Sequence, residues 1–411
     1  MRERLIVKSF GPVKELDITF RKVTVFIGDQ GTGKSCIAKL FSLFKWLEKE
    51  LLLQRQKISY YEQYNRFQTK LCAYHRIESF LKDETYIHFV GENYTFKYEN
   101  SSFHILENEA KNNIVPKIMY VPAERSILSV AENKTKLMKE LPDSCDAFFD
   151  EFSEAKKTFK AGYDLPFGDL HYEYDQLNDT SRISGSDYAD KPVKLANASS
   201  GIQAALPLCI VSEYLSDKVA SREEKKQSKE ERDKLEKKVA EIINNDSYTE
   251  SVKDMMLKQL SSLNRYGCFI NIAEEPELNL FPKSQMGVLS SLIAANAKTD
   301  GNMLVITTHS PYSLAILNLL LLASKVYAIA TDEEMQKTIK EIVDSRFHIS
   351  IEDLAAYNLS EGNGIDYCRS IVNETTGLIS KNDLDSLSGE ITRKFNALYQ
   401  RYIKKQIFYA R

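Results

Sequence analysis

The sequence of 411 residues lacks the features that mark several classes of protein. Its six cysteines are scattered without short pairings, which argues against a disulfide framework and against a zinc site. No run reaches the roughly 18–20 apolar residues of a membrane helix. The nearest candidate, SLAILNLLLLASKVYAIA, is interrupted by Asn318 and Lys325, and we expect a buried helix leading into a strand. The start, MRERLIVKSFG, has no apolar stretch like that of a signal peptide, so we predict a cytoplasmic protein without a membrane partner.

The charge balance also lacks a dominant sign. There are 55 basic and 58 acidic residues, for a net charge of −3, so no global field draws the protein onto nucleic acid or anionic lipid. Nucleic-acid binding through a local patch stays open. The hydrophobic share of 43% and the charged share of 27% are typical of a globular chain with a sizeable core. One large domain with insertions and two separate domains both fit.

What is present begins with a glycine-rich turn. It lies between VTVFIG, a predicted buried strand, and SCIAKLFSLFKWLEKEL, a predicted helix, while RLIVKSF and ELDITF before it alternate like exposed-edge strands. The turn fits the spacing G-x-x-x-x-G-K-[ST], whose glycines let backbone N–H groups converge on phosphate oxygens at a helix N-terminus. In this interpretation Lys34 neutralises the β- and γ-phosphates, and the Ser35 hydroxyl binds Mg²⁺. The predicted nucleotide contacts are Gly28, Asp29, Gln30, Gly31, Thr32, Gly33, Lys34, Ser35 and Cys36. The alternative is a glycine turn whose lysine binds no phosphate.

Two further strands end in chemically useful residues. GCFINIAEEPELNLFP is an apolar strand that ends in Glu274 and Glu275. Since neighbouring strand residues point to opposite sides, we assign Glu274 to the metal and Glu275 to the attacking water. The alternative is a solvated acidic turn before a proline.

MLVITTHSPYSLA places a histidine, His309, at a strand end, where parallel sheets bind ligands. We expect a helix to open at Pro311. The other histidines have no such setting, and we expect surface or packing roles for His75, His88, His104, His171 and His348.

These segments, with FGPVKEL and with YVPAERS at 120–126, resemble the ABC-type ATPases of the OLD, RecF and SMC-like branch, particularly those labelled AAA15 or AAA21. The resemblance covers about half of the chain, roughly 1–43, 114–130, 196–214 and 266–330. It implies an α/β fold: an ABC-type P-loop ATPase with a mixed or parallel sheet core, an antiparallel β lobe and helical insertions. The implied cofactors are ATP and Mg²⁺, and the implied activity is hydrolysis of ATP to ADP and phosphate.

The resemblance also implies a signature segment, found in ASSGIQAALPL as Ser199, Ser200, Gly201 and Gln203 at the start of a helix. In the family this segment contacts the γ-phosphate of a nucleotide held by another protomer. The site is then composite, and the chain forms a homodimer or a higher homo-oligomer. A well-capped helix with no ligand is the alternative.

The resemblance assigns roles to the strand-end residues as well. Lys34, Glu275 and His309 form the catalytic set, with Glu275 orienting water and His309 sensing the γ-phosphate, while Ser35 and Glu274 hold the metal. Glu274 stands where aspartate is commoner, and Ile202 replaces the second signature glycine, which favours a slow switch over a fast motor. The roles of Glu124 and Arg125 stay open between nucleotide, metal and partner.

Between the matched blocks we predict insertions. Within residues 44–113 we predict helices to about residue 82, followed by a three-stranded meander. We expect the aromatic residues there to pack in the core and not to stack on bases. Residues 131–195 form another insertion. Residues 215–265 contain a solvated charged helix without a heptad seam, and 331–411 a hairpin and an amphipathic helix within LDSLSGEITRKFNALYQRYIKKQ. No D-x-D strand end suits a Toprim nuclease, so we expect no nuclease centre.

We therefore expect an ATP-dependent switch that controls a separate effector, a toxin or a nuclease, as in bacterial anti-phage systems of the PARIS or Septu type. The alternative is a DNA-repair ATPase related to RecF that binds DNA directly. A nucleotide-binding subunit of a transporter is disfavoured by the large insertions and the poor signature match. GTPase activity is disfavoured because no N-K-x-D motif is present.

Overall fold

The structure is a computed structural model that describes residues 3–109, 112–130, 141–185, 191–222, 229–245, 247–249, 251–253, 255–257, 265–362, 366–380 and 392–399. The strands are β1 Arg4–Phe10, β2 Val13–Thr19, β3 Val23–Gly28, β4 Tyr86–Val90, β5 Tyr94–Glu99, β6 Ser102–Glu107, β7 Pro116–Val121, β8 Tyr163–Asp164, β9 Leu170–Asp175, β10 Thr180–Gly185, β11 Val193–Lys194, β12 Cys268–Glu274, β13 Met303–Thr308, β14 Leu354–Leu359 and β15 Cys368–Ser370. The helices are α1 Lys34–Leu52, α2 Ile58–Glu62, α3 Ile127–Val130, α4 Asp143–Thr158, α5 Ser200–Ala220, α6 Lys229–Ile243, α7 Pro282–Ala297, α8 Pro311–Ile329 and α9 Glu333–Ile342, and residues 392–399 are also helical.

The main sheet has the order β15-β14-β3-β13-β12-β7, in which only β15 is antiparallel to its neighbour. All residues of β3 and β12 are buried, as expected for strands covered on both faces. Because the strands are parallel, β3, β13 and β12 end at the same edge of the sheet. That edge carries the glycine-rich loop, Thr308 and Glu274.

Apolar side chains divide between the two faces of the sheet. In β3, Val23, Val25 and Ile27 join the core formed with α5, α7 and α8, whereas Phe26 faces the core formed with α1. Helix α1 is buried on most of its surface because the antiparallel lobe covers its outer side. The layers are therefore helices, main sheet, α1 and lobe.

The lobe is a five-stranded antiparallel sheet of order β2-β1-β4-β5-β6. The predicted meander is confirmed, since β4, β5 and β6 pair in sequence. The expectation of two edge strands at the N-terminus is half wrong: β2 lies at an edge, but β1 lies between β2 and β4. Its apolar side chains Leu5, Val7 and Phe10 are fully buried in the core shared with α1.

The fold class expected from the sequence is confirmed: α/β, with a largely parallel sheet, an antiparallel lobe and helical insertions. A small antiparallel sheet of order β11-β10-β9-β8 lies in the insertion 131–195, next to α4. Helix α1 continues past residue 43, the predicted boundary between the first matched block and an insertion. The predicted block boundaries stay predictions. The charged helix is present as α6, and β14 and β15 form the expected hairpin.

One predicted element is wrong, the strand after the apolar run at 313–330. Helix α8 continues to Ile329, and the sheet position beside β3 is taken by β14 instead. In the described part of the chain α8 is the one helix long and apolar enough to cross a membrane by length and composition. The side chains of Leu314, Leu317, Leu320 and Leu321 are buried in the core. The predicted C-terminal helix is seen at 392–399, and its other residues lie outside the described ones.

Candidate functional site

The glycine-rich loop forms the first part of the site, between the end of β3 and the start of α1. Gly33 has φ +97°, and a Cβ there would lie 2.7 Å from Cγ2 of Val13, so both conformation and space require glycine. The Thr32 hydroxyl donates to the Asp29 carbonyl at 2.8 Å. Strand, glycine turn and helix N-terminus therefore occur in the order and geometry of a phosphate-binding loop.

Lys34 is folded back onto this loop. Its Nζ donates to the carbonyl oxygens of Gly28 at 2.8 Å and Asp29 at 2.7 Å, and the residue is 5% exposed. Burial lowers the pKa of Lys34 to about 8, and nearby carboxylates, Glu275 first among them, oppose that shift. Phosphate oxygens could replace the two carbonyls as acceptors for this ammonium group.

Glu274 is the buried carboxylate of the site. It is 4% exposed, and its Oε2 accepts from the backbone N–H of Ala123 at 3.3 Å. Its Oε1 is buried without a hydrogen bond in the described part of the structure. A buried carboxylate oxygen of this kind needs a donor, a water or a cation.

A magnesium ion fits this donor set. Mg²⁺ binds one or two protein oxygens and completes its shell with waters and phosphate oxygens. Glu274 Oε1 and the half-buried Ser35 hydroxyl are such oxygens. The described residues contain no group of three or more His, Cys, Asp or Glu side chains that could hold a metal on their own.

Glu275 and His309 face each other across β12 and β13. Glu275 Oε1 lies 3.4 Å from His309 Nε2, and each side chain is about one-third exposed. Glu275 has φ +44°, an uncommon conformation for a residue other than glycine, and its N–H donates to the Thr307 carbonyl at 2.9 Å. The backbone thus turns at Glu275, which separates the direction of its side chain from that of Glu274.

Glu277 fixes the histidine loop and was not assigned from the sequence. Its Oε1 accepts from the Thr308 hydroxyl and from the His309 backbone N–H, both at 2.7 Å. The position of His309 is therefore set by a carboxylate two residues beyond Glu275. The repeated glutamate in EEPE was the available signal.

Arg125 is the second residue whose role the sequence left open. The guanidinium is 1% exposed and donates to four carbonyl oxygens: Pro122 at 3.1 Å, Ala204 at 2.9 Å, Glu274 at 2.6 Å and Glu275 at 2.6 Å. Burial lowers the pKa of Arg125 to about 10, so it stays cationic at neutral pH. Arg125 joins α5 to the turn at Glu274 and Glu275, whereas Glu124 is exposed.

The predicted signature residues begin α5 as expected. Ser199 and Ser200 are exposed, and Gly201 is buried, where a Cβ would lie 2.6 Å from the Asn279 carbonyl oxygen. The Gln203 amide donates within its own chain, to Ala196 at 2.9 Å and Ala198 at 3.0 Å. Gly201 and Gln203 thus have structural roles in this chain, while the two serines are open to another molecule.

Residues far along the chain complete the loop, and no motif indicated them. Strand β14 pairs with β3 so that Leu359 lies opposite Gly28. The Tyr367 hydroxyl donates to the Thr32 carbonyl within the glycine-rich loop. The loop is therefore supported by residues more than 300 positions away.

Comparison with protein-family models and with curated proteins gives no match. Solved structures give matches at low identity. An SMC head bound to the C-terminal winged-helix domain of ScpA is 11% identical, with a TM-score of 0.37, over 91% of this chain and 98% of that one. The SMC head domain from Thermotoga maritima is 10% identical, with a TM-score of 0.33, over 90% and 98%. The recombination mediator protein RecF is 10% identical, with a TM-score of 0.31, over 90% and 98%. The chain is thus similar, at this low level, to SMC heads and to RecF.

Proposed function

We propose that this protein is an ABC-type ATPase that works as a switch, hydrolysing ATP with the strand-end residues described above. The observation that carries the proposal is the Glu275–His309 pair, 3.4 Å apart, at the sheet edge that also carries the glycine-rich loop. Lys34 lies near enough to Glu275 and Glu274 for both charges to act on its pKa. One edge therefore offers a phosphate cradle, a cation, a candidate base and a buried carboxylate.

Each residue has a distinct task in this proposal. Lys34 exchanges its two backbone acceptors for phosphate oxygens, and Glu275 orients the attacking water with His309 beside it. Ser35 and Glu274 would hold Mg²⁺, which when bound would neutralise phosphate charge. Glu277 and Arg125 position these groups without touching nucleotide.

We propose that two copies close around the nucleotide, in a homodimer or a higher homo-oligomer. The support is that Ser199 and Ser200 are exposed at the N-terminus of the 21-residue helix α5, where hydroxyl groups and the positive end of the helix dipole suit an anion. The phosphate they accept would belong to the partner copy.

The output of the switch is proposed from the sequence resemblance alone. It points to a separate effector protein, a toxin or a nuclease, in bacterial anti-phage defence, and to a cytoplasmic location. Direct DNA binding, as in a repair ATPase, predicts turnover stimulated by duplex DNA and retention on DNA that weakens with salt. An ATPase indifferent to DNA would exclude that alternative.

Two variants test the ATPase proposal, with matched controls on the exposed helix α9. Lys34→Ala should abolish ATP binding, and Lys337→Ala should leave it intact. Glu275→Gln should bind ATP, hydrolyse it at least about 100-fold more slowly, and accumulate a dimer in size-exclusion chromatography with light scattering. Glu334→Gln should behave as wild type.

The readouts separate the parts of the proposal. Normal hydrolysis by Glu275→Gln would show that Glu275 does not orient the water. Slow hydrolysis without ATP-dependent dimers would leave the catalytic assignment standing and remove the composite site.

A further inference from the structure

A second pocket lies away from the phosphate cradle. It is a cavity of 310 Å³ between α1, residues 56–75, β7 and α4. Because α1 begins at Lys34, the residues of α1 that line it, Ser42 to Glu50, lie about 12 to 24 Å along the helix from the cradle. Its aromatic lining consists of Trp46, Tyr60, Tyr61, Tyr74, His75 and Tyr120. We call it the aromatic pocket.

The deep end of the aromatic pocket carries an unsatisfied imidazole. His75 is 1% exposed, and neither ring nitrogen has a hydrogen bond among the described residues. Burial lowers the pKa of His75 to about 3, so the ring is neutral and offers one donor and one acceptor. The expected packing role leaves both of these unexplained, because buried polar groups are normally paired. Both nitrogens are buried, so an occupant with one acceptor and one donor satisfies them once the ring turns towards the pocket.

The mouth of the pocket is cationic and aromatic. The Arg66 guanidinium lies 4.0 Å from the centre of the Tyr60 ring, and Lys70 Nζ donates to the Tyr60 hydroxyl at 3.0 Å. The buried Glu50 carboxylate in the lining is paired with Arg55 at 2.6 Å. Lys70 is exposed and Arg66 is half-buried, so an anionic group at the mouth would meet two cations.

These features describe one kind of occupant. Aromatic walls suit the faces of a planar ring, and the imidazole suits its polar edge. The volume is at the lower end of the range for small-molecule pockets, roughly 300–1,000 Å³, which fits a single nucleotide and not an oligonucleotide. We propose that the aromatic pocket binds a mononucleotide, with the base between the aromatic side chains and against His75 and with the phosphate on Arg66 and Lys70.

The pocket also has a route to the phosphate site. Tyr120 lies at its deep end and is 4% exposed. Tyr120 belongs to β7, which pairs with β12, the strand that ends at Glu274. Its hydroxyl has no hydrogen bond among the described residues. An occupant that moves Tyr120 therefore acts on a carboxylate assigned to the metal. This regulatory part rests on the proposed function, whereas binding does not.

The test uses the one tryptophan of the chain, Trp46, which lines the pocket. Full-length Lys34→Ala protein, whose phosphate cradle is disabled, is titrated with AMP, GMP, CMP and UMP while Trp46 fluorescence is followed. We expect a saturable change with at least one of them below about 1 mM. His75→Phe and, independently, the half-buried Arg66→Gln should each weaken binding at least about tenfold. Circular dichroism confirms that each variant is folded.

Two control ligands separate the halves of the occupant. Ribose 5-phosphate lacks the base and should not bind, and the nucleoside should bind more weakly than its monophosphate and be insensitive to Arg66→Gln. Absence of saturable binding by all four mononucleotides would overturn the proposal, as would equal binding of ribose 5-phosphate. If binding holds but does not change ATP turnover in the wild-type protein, the route through Tyr120 is wrong and the binding site stands.

Discussion

Replacing Arg125 tests whether the turn at Glu274 and Glu275 is held by one buried side chain. Arg125→Met keeps an unbranched side chain, shorter than that of arginine, and removes all four hydrogen bonds to carbonyl oxygens. Each buried acceptor left without its donor costs about 1–3 kcal/mol, whereas removing the buried charge recovers part of the cost of its desolvation. We expect a net loss of about 3–5 kcal/mol from an unfolding free energy of about 5–15 kcal/mol.

Turnover should fall further than nucleotide affinity. Two of the four carbonyls belong to Glu274 and Glu275, and the loop that holds Lys34 makes none of these contacts. With the turn released, the Glu275 side chain loses its position, and a displacement of 1 Å at such a group costs about 100-fold in rate. Urea unfolding measures the stability, and steady-state kinetics separate kcat from KM. Arg125→Lys keeps the charge with fewer donors and should lie between wild type and Arg125→Met.

Arg21 provides the matched control. Its Nη1 also donates to three carbonyl oxygens, those of Ile351, Glu352 and Leu354, but on a partly exposed surface at the opposite ends of the strands. Arg21→Met should cost about 1 kcal/mol and leave kcat unchanged. If Arg125→Met loses less than about 1 kcal/mol and turns over normally, Arg125 does not hold the turn, and the reasoning fails.

Gly33→Ala should abolish binding of a fluorescent ATP analogue, because its Cβ would lie 2.7 Å from a side chain. Gly31→Ala should weaken binding less, because it shares the strain of a positive φ, +76°, but has open space around the added atom. Glu277→Ala should lower kcat about 10- to 100-fold with ATP affinity nearly unchanged, while Glu277→Gln, which keeps an acceptor oxygen, should be milder. Glu3 is buried against Lys45, and burial raises the pKa of Glu3 above its usual 4.5. The stability that this group contributes is fully present below pH 4.5 and is lost as the pH rises through the raised pKa. The unfolding midpoint should therefore drop more between about pH 5 and about pH 8 in the wild-type protein than in Glu3→Gln. Equal drops in the two proteins would contradict this assignment.

The glycine-rich loop and the neighbouring strand ends could be predicted because they are local patterns. The glycine spacing before Lys34 and the apolar strands ending at Glu274 and Thr308 each fix their own secondary structure. Parallel pairing then brings the strand ends together, as the structure shows.

The residues that hold the site in place could not be predicted in the same way. Arg125 contacts Ala204 and Glu275 through backbone carbonyls, which carry no side-chain signature. The strand expected after α8 failed because VYAI suits a strand locally, whereas the place beside β3 is filled by β14. The lack of hydrogen bonds at His75 among the described residues could not be predicted either, because it depends on the tertiary packing around the ring.

The distance along the chain between the cradle and its support has a consequence for biosynthesis. Tyr367 is 335 residues from Thr32, so a ribosome must add most of the chain before this hydrogen bond can form. At about 5–20 residues per second, Tyr367 is added roughly 20 to 70 s after the glycine-rich loop has been synthesised. During that time the nascent chain has β3 without its neighbour β14. The glycine-rich loop of a nascent chain therefore lacks this support until Tyr367 has been added, and a chain truncated before Tyr367 should bind ATP more weakly than the 411-residue chain.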